Sequence, residues 1–134
     1  MAKTKSLVRN PLAGFLWTDT APTAAFTAIT GATGGLLLQV DIDNTADSSD
    51  AYLKLRFQRV SLGAPTVGTD QTDMVFKCPA GKRILYTMPV GINLLWVEPS
   101  VSSQLYYSVT TGHTTASTTA TTGTLPTVKI TLEI

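Results

Sequence analysis

The segment VGTDQTDMVFKCPAGKRILYTMPVGINLLW, Val67 to Trp96, sets the architecture against which the rest of the chain is read. Two Pro-x-Gly units, Pro79-Ala80-Gly81 and Pro89-Val90-Gly91, divide it into three short apolar-rich runs. Proline presets φ for the first corner of a turn, and glycine two places later takes a positive φ without steric cost. Between the turns Ile84, Tyr86 and Met88 alternate with Arg83, Leu85 and Thr87, the period of a strand with one buried face. After the second turn Ile92, Leu94 and Trp96 continue the alternation, while Leu95 and Val97 make the other face apolar too. The segment reads as the middle of a small antiparallel β domain.

Upstream, Leu36–Asp43 carries the cleanest alternation, with Leu36, Leu38, Val40 and Ile42 on one face and Gln39, Asp41 and Asp43 on the other. Ala51–Val60 places Leu53, Leu55 and Phe57 inward and Tyr52, Lys54, Arg56 and Gln58 outward. The polar NTADSSD loop between them predicts a hairpin, with Asp41 and Asp43 facing Lys54 and Arg56 across the pair. Ala24–Ile29, Asp73–Lys77, Gln104–Thr110 and Thr127–Ile134 are further strands. Thr110–Gly123, nearly all Thr, Ala, Ser and Gly, predicts an exposed, mobile loop. About eight short strands and no sustained helical period specify an all-β protein, an antiparallel β-sandwich that is jelly-roll-like or Ig-like. Its expected core is Leu38, Val40, Leu53, Leu55, Phe57, Ile84, Ile92, Leu94, Ile130 and Leu132.

Residues 1–23 lack a period, and Pro11, Gly14 and Pro22 break them into pieces. They are nonetheless apolar and locally basic. The expectation is an extended N-terminal arm on a β-sandwich domain spanning residues 24–134. In that reading Leu7, Val8, Phe15, Leu16 and Trp17 make contacts between subunits, and Lys3, Lys5 and Arg9 meet acidic surface.

Composition narrows the function. Only 14% of the 134 residues are charged, against about 25% in an average globular protein. Threonine, with 23 copies, fills the gap. Such a surface is covered by other subunits at little desolvation cost, which favours an assembly component. A net charge of +1 creates no field for nucleic acid or an anionic membrane, so neither is an expected partner. No apolar run approaches the roughly 18 residues of a membrane span. Ser6–Gly14 carries Arg9, Asn10 and Pro11 where a signal peptide needs an apolar stretch, so synthesis in a cytoplasm is expected.

Catalytic chemistry has few carriers. His113 is the sole histidine and sits in the Thr-rich loop, and Cys78, the sole cysteine, has no histidine near it in sequence. No nucleophile elbow, phosphate loop or paired His/Cys ligand set is present. The expectation is a protein with no catalytic residues, no cofactor and no metal. Asp41, Asp43, Asp47 and Asp50 are the one constellation with Ca²⁺-like chemistry. An EF-hand register from Asp41, however, puts Ala46 at the turn glycine and Tyr52 at the bidentate glutamate. A solvated loop tip is the expected role.

The runs DIDNTADSSDAYLKLRF and PTVGTDQTDMVFKCPAGKRILYTMPVGINL, followed by a strand, a Thr/Gly-rich loop and a closing strand, resemble small virion proteins of tailed bacteriophages. The residues that carry the likeness are Thr66-Val67-Gly68-Thr69, Pro79-Ala80-Gly81 and Pro89-Val90-Gly91, within Leu36–Trp96 plus the last strand. The nearest type is a capsid decoration (cement) protein. The resemblance implies a β-sandwich on the capsid surface of a virion, bridging neighbouring copies of the major capsid protein. It also implies a homo-oligomer, dimer or trimer, without catalytic residues. A phage tail or fibre module that binds a host surface glycan is the alternative, with Trp17, Tyr52, Tyr106 or Tyr107 as its aromatic platform. A secreted cellular β-module is a third reading, disfavoured by the expected lack of a signal peptide.

Overall fold

A computed structural model of the chain describes residues 3–7, 15–29, 36–59, 62–93, 103–121 and 125–133. These residues form nine strands and no α-helix: β1 (Lys3–Leu7), β2 (Phe15–Asp19), β3 (Thr27–Ala28), β4 (Leu36–Asp43), β5 (Ala51–Arg59), β6 (Met74–Cys78), β7 (Arg83–Asn93), β8 (Ser103–Thr110) and β9 (Thr127–Glu133). They build two antiparallel sheets, one ordered β1-β2-β9-β4-β7 and the other β3-β8-β5-β6. The two sheets share one apolar layer. Leu37, Val40, Ile42, Val128, Ile130 and Leu132 come from the first sheet, and Leu53, Leu55, Phe57, Leu105, Tyr107 and Val109 from the second. The β-sandwich read from the period-two pattern is the observed fold.

Three expectations about how the strands pair are corrected. β4 and β5 do not form a hairpin: β4 lies between β7 and β9, β5 between β6 and β8, and residues 44–50 cross from one sheet to the other. Asn44 secures that crossing. Its side-chain amide donates to the carbonyls of Ser49, Cys78 and Pro79, and its backbone amide donates to the carbonyl of Lys82. Cys78 is buried in the same place, its Sγ 3.3 Å from the Ile42 carbonyl oxygen, and burial raises its pKa.

The second correction concerns Pro89-Val90-Gly91, which does not end a strand. Leu37 faces Ile92 and Gln39 faces Thr87, so these three residues belong to an irregularity inside the continuous strand β7. Gly91 has φ +73°, and a Cβ there would lie 3.1 Å from Leu36 Cβ. The third correction is Leu38. Against β9 the register passes from Leu37↔Leu132 to Gln39↔Thr131, so Leu38 is the extra residue of a bulge. A bulge reverses the in–out phase of the residues before it, and Leu37 rather than Leu38 is therefore fully buried. Val40, Leu53, Leu55, Phe57, Ile130 and Leu132 are in the core as expected, with Ile84 partly buried against it. Leu94 and the side chain of Ile92 lie outside the described residues.

The N-terminal arm is also corrected. β2 pairs along five residues with β9, and β1 pairs with β2, so residues 3–7 and 15–19 are strands of the domain's own sheet. Trp17 is 8% exposed and belongs to the core cluster. Its indole Nε1 donates to the Tyr107 hydroxyl at 3.0 Å, and that hydroxyl donates to Asp19 Oδ2 at 2.6 Å. The Ala21 amide donates to Asp19 Oδ1 at 2.9 Å. A buried aspartate is tolerated where hydrogen bonds replace water. Here the bonds also tie β2 in one sheet to β8 in the other.

Candidate interaction surface

The two outer faces of the sandwich differ. On the four-stranded sheet, Lys54, Arg56 and Gln58 of β5 point outward, yet Lys54 is only 1% exposed. The Thr-rich loop lies over it, and Lys54 Nζ donates to the carbonyls of Thr114 at 2.7 Å and Ser117 at 2.9 Å. Burial lowers the pKa of this ammonium. The loop closes on itself through Thr111 N to Thr119 O at 2.9 Å, and Thr121 is buried. The 62–73 connection covers β5 further along, while Val75 on the edge strand β6 stays 41% exposed. Arg56 donates to the Gln71 carbonyl and Gln58 to the Gly63 carbonyl. Gly68 has φ +90° and lets Thr118 approach, since a Cβ there would stand 2.6 Å from Thr118 Cγ2. The loop expected to be exposed and mobile is thus a cover seated on a lysine, although Thr114, Thr118 and Thr119 face solvent. Lys54→Ala is expected to loosen it, and limited proteolysis should then cut within residues 113–120 at least several-fold faster than in the parent.

The outer face of the five-stranded sheet presents ordered rows of side chains. The register sets Leu85, Asp41, Lys129 and Thr18 in one row across four strands, with Arg83, Asp43 and Thr127 on one side of it. Thr87, Gln39, Thr131 and Leu16 form the row on the other side. Arg83 grips Asp41 with two bonds, Nε to Oδ1 at 3.1 Å and Nη2 to Oδ2 at 2.7 Å. This bidentate pair raises the arginine's pKa. The Thr45 hydroxyl and amide hold the Asp43 carboxyl below its ordinary pKa, and the nearby Arg83 and Lys129 add to the effect. Asp41, Asp43, Arg83, Thr127 and Lys129 line a shallow cleft of about 240 Å³. Two positive and two negative charges balance over it. Beside them Leu85 is 55% exposed, an apolar residue on a largely polar sheet face.

The acidic residues singled out from the sequence are dispersed. Asp41 binds Arg83, Asp43 accepts from Thr45, Asp47 accepts the Ser49 amide, and Asp50 accepts the Ala80 amide. Oδ1 of Asn44 and Oδ2 of Asp47 are buried without a partner, but two oxygens fall short of the six to eight that Ca²⁺ takes. Among the described residues no three His, Cys, Asp or Glu side chains are grouped to hold a metal ion. His113 is exposed, its ring 5.8 Å from that of Tyr52.

Of the contact residues expected in the arm, Lys3, Lys5 and Leu7 occupy β1, opposite Asp19, Trp17 and Phe15. Leu16 is half-buried on the outer face of β2, and Trp17 is removed to the core. Val8 and Arg9 lie outside the described residues. Sequence reasoning missed Asp41–Arg83, because the two residues are 42 positions apart and meet only through the β4–β7 pairing. No protein-family model matches the chain, and no curated protein or solved structure matches it.

Proposed function

We propose that this chain is a capsid decoration protein of a tailed bacteriophage, docking on the major capsid lattice through the outer face of its five-stranded sheet. The observation that carries the reading is the asymmetry of the two faces. Loops cover β5 on one, where Val75 of the edge strand stays exposed, while the other is open and offers a charge-balanced mosaic around the Asp41–Arg83 pair with exposed Leu85 beside it. Mixed charges of this kind give register and selectivity more than raw affinity. Affinity then comes from many copies on a repeating lattice and from the low desolvation cost of a Thr-rich surface. The resemblance of the turn motifs to those of small phage virion proteins supports the same reading. The role is mechanical: each copy bridges neighbouring shell subunits and resists their separation.

The glycan-binding alternative loses support. Trp17 and Tyr106 are each 8% exposed and Tyr107 is fully buried, which leaves Tyr52 alone of the four proposed platform aromatics. The test is to incubate the purified protein with undecorated heads and measure bound copies per particle by quantitative mass spectrometry. Saturation at hundreds of copies is expected, and Lys129→Glu should weaken binding by about tenfold or more by unbalancing the face. Saturation at a few dozen copies or fewer points to a tail component instead. Unchanged binding by the variant removes the face from the interface.

A further inference from the structure

Among the described residues the sandwich has four edge strands, β1 and β7 on one sheet and β3 and β6 on the other. An edge exposes unpaired backbone N–H and C=O groups, and proteins usually guard it by shortness or by charge. Three of these edges are guarded. β3 has two residues, β1 has five including Lys3 and Lys5, and β6 has five including Lys77. β7 is different: it has 11 residues, and its single charge, Arg83, stands at the first position, held by Asp41. Among the described residues, β4 is its only strand partner. Its regular ladder spans Arg83 to Thr87, where the register with β4 is unbroken, and stops at the irregularity containing Pro89. The midpoint of that ladder is Leu85, 55% exposed.

We propose that β7 is the interface between two copies of this chain, the Arg83–Thr87 segments pairing antiparallel about a two-fold axis through Leu85. The pairing is electrostatically self-complementary. Reversal about Leu85 sets Leu85 against Leu85 of the second copy and Arg83 against Thr87 of the second copy, so no like charges meet. The same operation on β1, about its midpoint Lys5, would put lysine against lysine. Each Arg83 keeps its own Asp41, and the centre of the joined sheet is apolar. Two five-stranded sheets become one of ten strands, and their outer faces form a single surface twice as wide. A two-fold interface of this kind is closed, so association stops at the dimer. The pairing does not rest on the functional reading, because it requires nothing but the protein itself.

Sedimentation equilibrium of the isolated protein over a concentration series is expected to show a monomer–dimer equilibrium. Leu85→Lys places like charges on the axis and removes the apolar contact. It should weaken association by about a hundredfold, with an unchanged circular dichroism spectrum because residue 85 is exposed. Leu85→Cys should form an intermolecular disulfide under mild oxidation, since directly opposed residues of antiparallel strands lie within disulfide reach. Arg83→Cys or Thr87→Cys alone should not, but an equimolar mixture of the two should cross-link. Cys78 is buried and contributes no background. A protein that stays monomeric throughout overturns the proposal, as does a dimer that survives Leu85→Lys or leaves Leu85→Cys unlinked. A monomer whose binding to heads is lost on Leu85→Lys assigns the edge to a strand of the shell, and the pairing of copies is then wrong.

Discussion

Deleting residues 1–22 is expected to unfold the protein rather than detach it from a partner. β2 lies between β1 and β9, so the deletion strips five residues of ladder from β9. It also removes Trp17 from the core and Asp19 from the Tyr107 hydroxyl. Truncating a buried aromatic alone costs about 3–5 kcal/mol. The hydroxyl of Tyr107, left in an apolar layer without its partners, adds about 1–3 kcal/mol. Domains of this size are stable by only about 5–15 kcal/mol, so most or all of that margin is lost. Circular dichroism and thermal melting of residues 23–134 provide the measurement. A cooperative melt close to that of the full chain would show that β1 and β2 are dispensable, and would restore the arm as a docking element.

Tyr107→Phe is expected to cost between about 2 and 5 kcal/mol, a large effect for the loss of one oxygen. The ring still fills its place, so no cavity term enters. What is lost is the atom that accepts from the Trp17 indole and donates to Asp19 Oδ2, so both buried atoms lose that hydrogen bond while Asp19 Oδ1 keeps the Ala21 amide. Denaturant unfolding should show a lower midpoint with an unchanged slope. The same site makes a pH prediction. Burial first, and then the bond to Asp19, raise the Tyr107 pKa far above its ordinary 10.0. The unfolded chain's phenol ionises near pH 10, while the folded one keeps its proton until the pH is higher still. Between those values only the unfolded state is stabilised by deprotonation, so this contribution is complete below about pH 10 and is lost as pH rises. Stability of the parent should fall above that pH, and Tyr107→Phe should show a shallower fall. Parallel curves for the two proteins would exclude Tyr107 as the source.

Period-two alternation marked β4, β5, β9 and the first half of β7, because the pleat dictates which residues can be buried together. It likewise placed Val40, Leu53, Leu55, Phe57, Ile130 and Leu132 inside. Gly81, with φ +71°, turns the chain after Pro79 as the Pro-Ala-Gly unit predicts. The partner of each strand was not legible. Alternation says which face is buried but not which neighbour supplies the hydrogen bonds, and residues 44–50 serve equally as a hairpin loop or a crossing between sheets. Leu38 shows the same limit at one residue: a bulge depends on the register with β9, some 90 positions away. The apolar residues among the first 23 were legible, but the surface that residues 15–19 pack against lies on β9 and β8 and is absent from the local pattern. The charge-balanced face around Asp41 and Arg83 arises in the same way. Local chemistry selects strands and turns, whereas partners and faces are set by contacts between distant segments, and those exist only once the two sheets have closed on one another.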